Sequence, residues 1–80
     1  MISELDRVVL TEDLPEYQLK AGDIGTVVLV HRGGEGYEVE FVALDGETLA
    51  VTTALASQVR PVGHKEIPHA RVIEPTQAIS

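Results

Sequence analysis

"YEVEFVALDGETLAV", Tyr37 to Val51, decides how this chain is read. Side chains along a strand point to alternate faces, so Tyr37, Val39 and Phe41 share one face. Glu38, Glu40 and Val42 take the other. Asp45-Gly46 is a dipeptide favoured in two-residue type I′ turns, which places Leu44 opposite Glu47. "ETLAVTT" then returns as a second strand. The stretch predicts a hairpin that builds core from one face. Its other face carries two glutamates whose Cα atoms stand roughly 7 Å apart.

Working outward, "RGGEG" (Arg32 to Gly36) supplies three glycines for a tight turn needing positive φ. "IGTVVLVH", Ile24 to His31, is rich in β-branched residues and predicts the strand before it. Gly25 within it marks a bulge or a close backbone approach. "LDRVVLT", Leu5 to Thr11, is a first strand with Leu5, Val8 and Leu10 apolar. Between them, Glu12 to Asp23 is broken by Pro15 and Gly22 and reads as a long folded-back loop. After the hairpin, Ala54 to Gln58 suits one 3-10 turn, and "VRPV", Val59 to Val62, a brief last strand with Pro61 at an edge. Five short strands, a long loop after the first, tight turns after the second and third, and a helical turn before the fifth follow the order of an SH3-like barrel. The expected fold is therefore all-β, a small SH3-like barrel of about five antiparallel strands with one 3-10 turn, bent enough to close on itself and remove exposed edges. It spans residues 1–62. Residues 63–80 read as a mobile C-terminal extension, with "ARVIE" as a candidate extra strand.

Eighty residues make one small domain, and such chains bury only about 60% of their unfolded surface. Hydrophobic residues at 44% and charged residues at 24% are globular values. There is no cysteine, so disulfides and thiolate metal sites are excluded. No apolar run approaches the roughly 20 residues of a membrane span. Met1-Ile2-Ser3-Glu4 has neither the basic start nor the apolar core of a signal peptide, and the expected location is cytoplasmic. Thirteen acids against six bases give a net charge of −7. Through Val62 there are eleven acids and four bases, which already makes −7, so the acidity belongs to the folded part. That excludes the Lys/Arg footprint of a nucleic-acid binder. It suits a basic partner, and equally it keeps a small domain soluble.

The combination Leu5-x-x-Val8-x-Leu10, Asp13-Leu14-Pro15-Glu16, Leu19-x-x-Gly22-Asp23-x-Gly25-Thr26-Val27-Val28, "YEVEF" (Tyr37–Phe41) and Asp45-Gly46 resembles a family of small bacterial proteins of unknown function. The resemblance covers about residues 5 to 62. It implies an SH3-like fold and no enzymatic activity. Members are often encoded beside toxin-like or nuclease-like genes, which implies an immunity or antitoxin role. No functional residues are carried over from it.

The side chains offer little for catalysis. His31, His64 and His69 are too scattered for a metal site and read as solvated. Ser3, Ser57 and Ser80 lack an oriented base. "RGGEG" lacks the Lys and Ser/Thr of a phosphate loop. Glu38 and Glu40 lack a pocket that would drive their pKa values apart. No cofactor is expected, and the chain does not read as an enzyme. A proline-peptide groove needs aromatics, and only Tyr17 is free to supply one. The acids remain. Like charges clustered on a sheet cost stability, whereas against a basic partner they raise on-rate and selectivity. Glu12, Asp13, Glu16, Glu38, Glu40 and Glu47 are the candidate partner-binding residues. The expected function is neutralisation of a basic toxin, an RNase-type nuclease above all, by a chain that is monomeric before the complex forms. The alternative is an accessory or scaffolding subunit presenting an apolar patch that includes Val9, Val27 and Val42. On that alternative the exposed surface is apolar rather than acidic.

Overall fold

The computed structural model describes residues 1–73. Five strands, β1 (Arg7–Leu10), β2 (Ile24–His31), β3 (Gly36–Val42), β4 (Thr48–Leu55) and β5 (Val59–Pro61), form one antiparallel sheet in the order β4-β3-β2-β1-β5. The all-β reading, the strand count and the 3-10 turn before the last strand, Ala56–Gln58, all hold. A second 3-10 turn, Pro15–Tyr17, lies in the β1–β2 loop with Pro15 at its start, where a missing N–H costs nothing. Leu14 and Leu19 bracket it, exchanging backbone hydrogen bonds of 2.9 and 3.2 Å. Both leucines are buried, so the loop is pinned to the core by its ends. Among the described residues no helix is long and apolar enough to cross a membrane.

Closure is the first correction. The last strand lies beside the first, but β4 and β5 do not pair, so among the described residues the sheet is open and keeps two edges. The turn Ala56–Gln58 links the ends instead. Its Ala56 N–H donates to Glu35 O at 3.1 Å, and its Gln58 O accepts from Thr11 N at 2.8 Å.

Val8, Leu10, Val27, Val39 and Phe41 form the centre of the core, and Leu14, Leu19, Tyr37, Ala54 and Val59 surround them. The alternation of Tyr37, Val39 and Phe41 thus falls on the buried face as read. Gly25 is a close approach rather than a bulge. A Cβ there would stand 2.5 Å from Val39 Cγ1 and 2.8 Å from Phe41 Cε1. The β2 bulge falls three residues on: Val27 pairs with Val39 and Leu29 with Glu38, leaving Val28 extra. That shift of parity turns Val30 back against the core. A second irregularity, in β4, leaves Leu49 between the pairs Val42–Thr48 and Phe41–Ala50.

Other boundaries move for local reasons. Leu5 lies outside β1, exposed and at φ 73°, because the chain turns there before the strand begins. The β3–β4 turn is one residue longer than a type I′ hairpin. Ala43, not Leu44, lies opposite Glu47, with Ala43 N donating to Glu47 O at 2.7 Å and Gly46 N to Ala43 O at 2.9 Å. Gly46 at φ 96° supplies the left-handed residue of this three-residue loop. Asp45 Oδ1 fixes it by accepting from Glu47 N at 3.0 Å. Glu47 therefore belongs to the turn, not to β4. Val27, expected to face out, is fully buried because it pairs with core-facing Val39; Val9 is also buried, while Val42 is exposed as expected.

Residues Gly63–Ile73 take no regular secondary structure but return to the domain. Arg60 clamps Glu66 with both terminal nitrogens, at 2.9 and 2.6 Å. Arg71 pairs through two nitrogens with Asp23 and donates to Gln18 O at 2.9 Å. No strand forms over Ala70–Ile73, and the rest of "ARVIE", with the extension beyond it, lies outside the described residues.

Candidate functional site

Register places the two glutamates. Glu38 pairs with Thr53 of β4 and Glu40 with Val51, so both stand on the face turned away from the core. Each is held by a β4 hydroxyl. Thr53 Oγ1 donates to Glu38 Oε2 at 2.5 Å, and Thr48 Oγ1 to Glu40 Oε2 at 3.0 Å. His31 Nε2 lies 2.7 Å from the same Glu38 oxygen. The Thr53 hydroxyl first, and then His31, hold the Glu38 carboxyl below its ordinary value, against a smaller opposing effect of desolvation. A general acid needs the reverse shift. Both carboxylates are oriented by a neighbouring hydroxyl, and the shift favours the charged form of Glu38, which is the condition of a charge that attracts. His31 is thus engaged by Glu38 rather than simply solvated, and its side chain is only half exposed.

The loop acids do different work. Glu12 Oε2 accepts from Gln58 Nε2 at 2.8 Å, tying the β1–β2 loop to the 3-10 turn before β5. Asp13 Oδ1 accepts from Ala21 N at 2.9 Å and closes the loop on itself. Glu16 is exposed in the turn Pro15–Tyr17. Glu47 sits in the β3–β4 turn. Of the six candidates, the structure brings Glu38 and Glu40 together as a strand pair and Glu12, Asp13 and Glu16 together on one loop. It does not gather all six on one face.

Glu47 instead borders a groove that sequence reading missed. An open hollow of about 870 Å³ runs between the start of β2, the β3–β4 turn and residues 68–73. Leu19, Ile24, Phe41, Val42 and Leu49 give it an apolar lining, and the Arg71–Asp23 pair closes one side. The available signal was a lone cation inside the apolar run "ARVI", which calls for a counter-charge. Sequence offers thirteen acids and no way to choose among them. Among the described residues, no three His, Asp or Glu side chains converge as a metal site.

Comparison with known proteins bears out the resemblance to a small family of unknown function. Residues 4–61 match the family described as a domain of unknown function (DUF4926), so the chain belongs to that family. The match ends at β5, which leaves the Arg71 segment outside the family's span. No curated protein and no solved structure matches the chain.

Proposed function

We propose that this member of the DUF4926 family is a non-catalytic binding protein that covers a basic protein partner. The observation that carries the reading is the pair Glu38 and Glu40, fixed on an open sheet face by Thr53 and Thr48 within a domain of net charge −7. Carboxylates already ordered in the free protein lose little freedom on binding. Their field steers a cationic partner and rejects an anionic one. Glu12, Asp13, Glu16 and Glu47 add to that field from the loop and the turn.

More specifically, the partner is a nuclease toxin, an RNase above all, encoded beside this chain. The support for this step is the motif resemblance and its gene context, together with the fit between an acidic face and a cleft built to hold phosphates. The chain acts in the cytoplasm as a monomer that blocks substrate access without chemistry of its own. Mixing the purified protein with the product of the adjacent gene tests it. The expected result is a stable complex and lost cleavage of RNA; undiminished cleavage with no complex would reject it.

A second reading, an accessory subunit of a larger assembly, draws on Val28, Leu29, Val51 and Leu55, each at least 40% exposed. Raising ionic strength separates the two. Steered charge contacts weaken with salt, whereas apolar docking does not.

A further inference from the structure

Among the described residues, the two open edges of the sheet are not alike. β5 runs three residues and carries Arg60 and Pro61, features that discourage a further strand. β4 runs eight residues, "TLAVTTAL", with no charge and no proline. It is rich in residues that favour strands, and Leu49, Val51 and Leu55 are exposed along it. An edge of this kind is a template for pairing.

The direction of its backbone groups follows from parity. Ala56 N donates to Glu35 O at 3.1 Å, so hydrogen-bonded pairs with β3 fall on Ala54 and Thr52. Leu55, Thr53 and Val51 then aim their N–H and C=O groups away from β3. Leu55 confirms the assignment, since its N–H is taken by Gln58 Oε1 at 2.8 Å. Gln58 thus seals one end of the edge, and the irregularity at Leu49 ends the regular run at the other. Val51 and Thr53 lie between.

We propose that β4 accepts an extended strand from the partner, and that this strand carries Lys or Arg at alternate positions. Its residue beside Thr53 continues the row Glu38–Thr53, and its residue beside Val51 continues the row Glu40–Val51. Each would lie two strand spacings, roughly 10 Å, from its glutamate at Cα. Long basic side chains cross that gap over the small Thr53 and Val51. The residues between them fall on the core side, beside Ala50 and Thr52, and are apolar. This proposal deepens the reading of a basic partner and rests on it; strand addition supplies the affinity and the two glutamates the selectivity.

The probe is a heptapeptide of alternating valine and lysine, titrated by calorimetry into the full chain at low and physiological salt. Saturable binding that weakens with salt is expected. Val51→Pro removes one outward N–H and leaves the β3 ladder intact, and it is expected to bind about ten-fold more weakly. Should that variant fail to fold, the wild-type chain decides. A peptide N-methylated on the amides that face β4 should not bind, and one methylated on the opposite set should. No binding of the plain peptide, equal binding by a folded Val51→Pro, or equal binding of both methylated peptides would overturn the proposal, as would β4-to-β4 dimerisation of the free chain. With the native partner, a folded Val51→Pro that binds at full strength while Glu38→Lys/Glu40→Lys does not would overturn the added strand and leave the acidic-face reading standing.

Discussion

Gly25→Ala should destabilise the protein although alanine suits a strand better than glycine. Its φ is not positive, so the substitution meets no backbone strain and shortens the unfolded ensemble, a gain of about 0.4–1 kcal/mol. Against that stands the missing space. The new methyl would lie 2.5 Å from Val39 Cγ1, 2.8 Å from Phe41 Cε1 and 3.0 Å from Glu40 O. Ordinary carbon contacts begin near 3.5 Å, so its neighbours must move by up to about 1 Å. Val39 is 0% and Phe41 2% exposed, which leaves them nowhere to go, and the third contact is backbone. Overpacking of this kind costs about 1–3 kcal/mol. Taking the middle of each range, about 2 less about 0.7, the net loss is about 1.3 kcal/mol, a fall in Tm of roughly 5–10 °C for a domain of this size. Thermal and urea unfolding followed by far-ultraviolet circular dichroism measure it. Val39→Ala removes the nearest contact, so Gly25→Ala should cost less in that background than in the wild type. Unchanged or raised stability for Gly25→Ala, or strict additivity of the two changes, would refute the packing argument.

Other expectations concern the charged groups. Because the folded-state pKa of Glu38 lies below the ordinary 4.5, its contribution is present above that pH and is lost as pH falls through the folded value. Thr53→Val should move the Glu38 titration back toward the ordinary value, as read by carboxyl-carbon NMR, and an unmoved midpoint would deny the hydroxyl its role. Glu66 is pulled down to about 2 by Arg60 and the Gly63 N–H, so Arg60→Gln should raise its midpoint in the same experiment. Arg71→Ala should cost no more than about 1 kcal/mol, since its pair with Asp23 is partly solvated. It should nonetheless speed amide hydrogen exchange across Lys20–Asp23 and Pro68–Ile73, and unaltered exchange would show that the pair does not hold the segment.

Much of this fold is legible because its rules are local. Alternation at Tyr37, Val39 and Phe41 set the core face, and Gly25 signalled either a bulge or a close approach, of which the fold shows the second. What escaped depends on contacts distant in sequence. No local pattern distinguishes a closed sheet from the open one, because that turns on whether β4 meets β5. The β2 bulge at Val28 sits in a uniform run, "TVVLV", with no glycine to announce it, yet it decides that Leu29 rather than Val28 flanks Glu38. Asp45-Gly46 marked a turn correctly but not its length, since a left-handed glycine serves two- and three-residue loops alike. The candidate acids were found by charge alone. Their division into a strand pair, a loop group and a turn, and the threonines that hold the pair, required β4 in register. The Arg71–Asp23 pair spans 48 positions. No spacing rule reaches that far.

On the proposed reading, ordered acids on the open face of β3 bind and neutralise a basic partner. Titrating the wild-type chain and the Glu38→Lys/Glu40→Lys variant into the product of the adjacent gene, proposed to be a nuclease, while following RNA cleavage tests this most directly. The wild-type chain should abolish cleavage at an equimolar ratio, less effectively as salt rises, and the folded variant should leave it largely intact. Full cleavage in the presence of excess wild-type chain would contradict it.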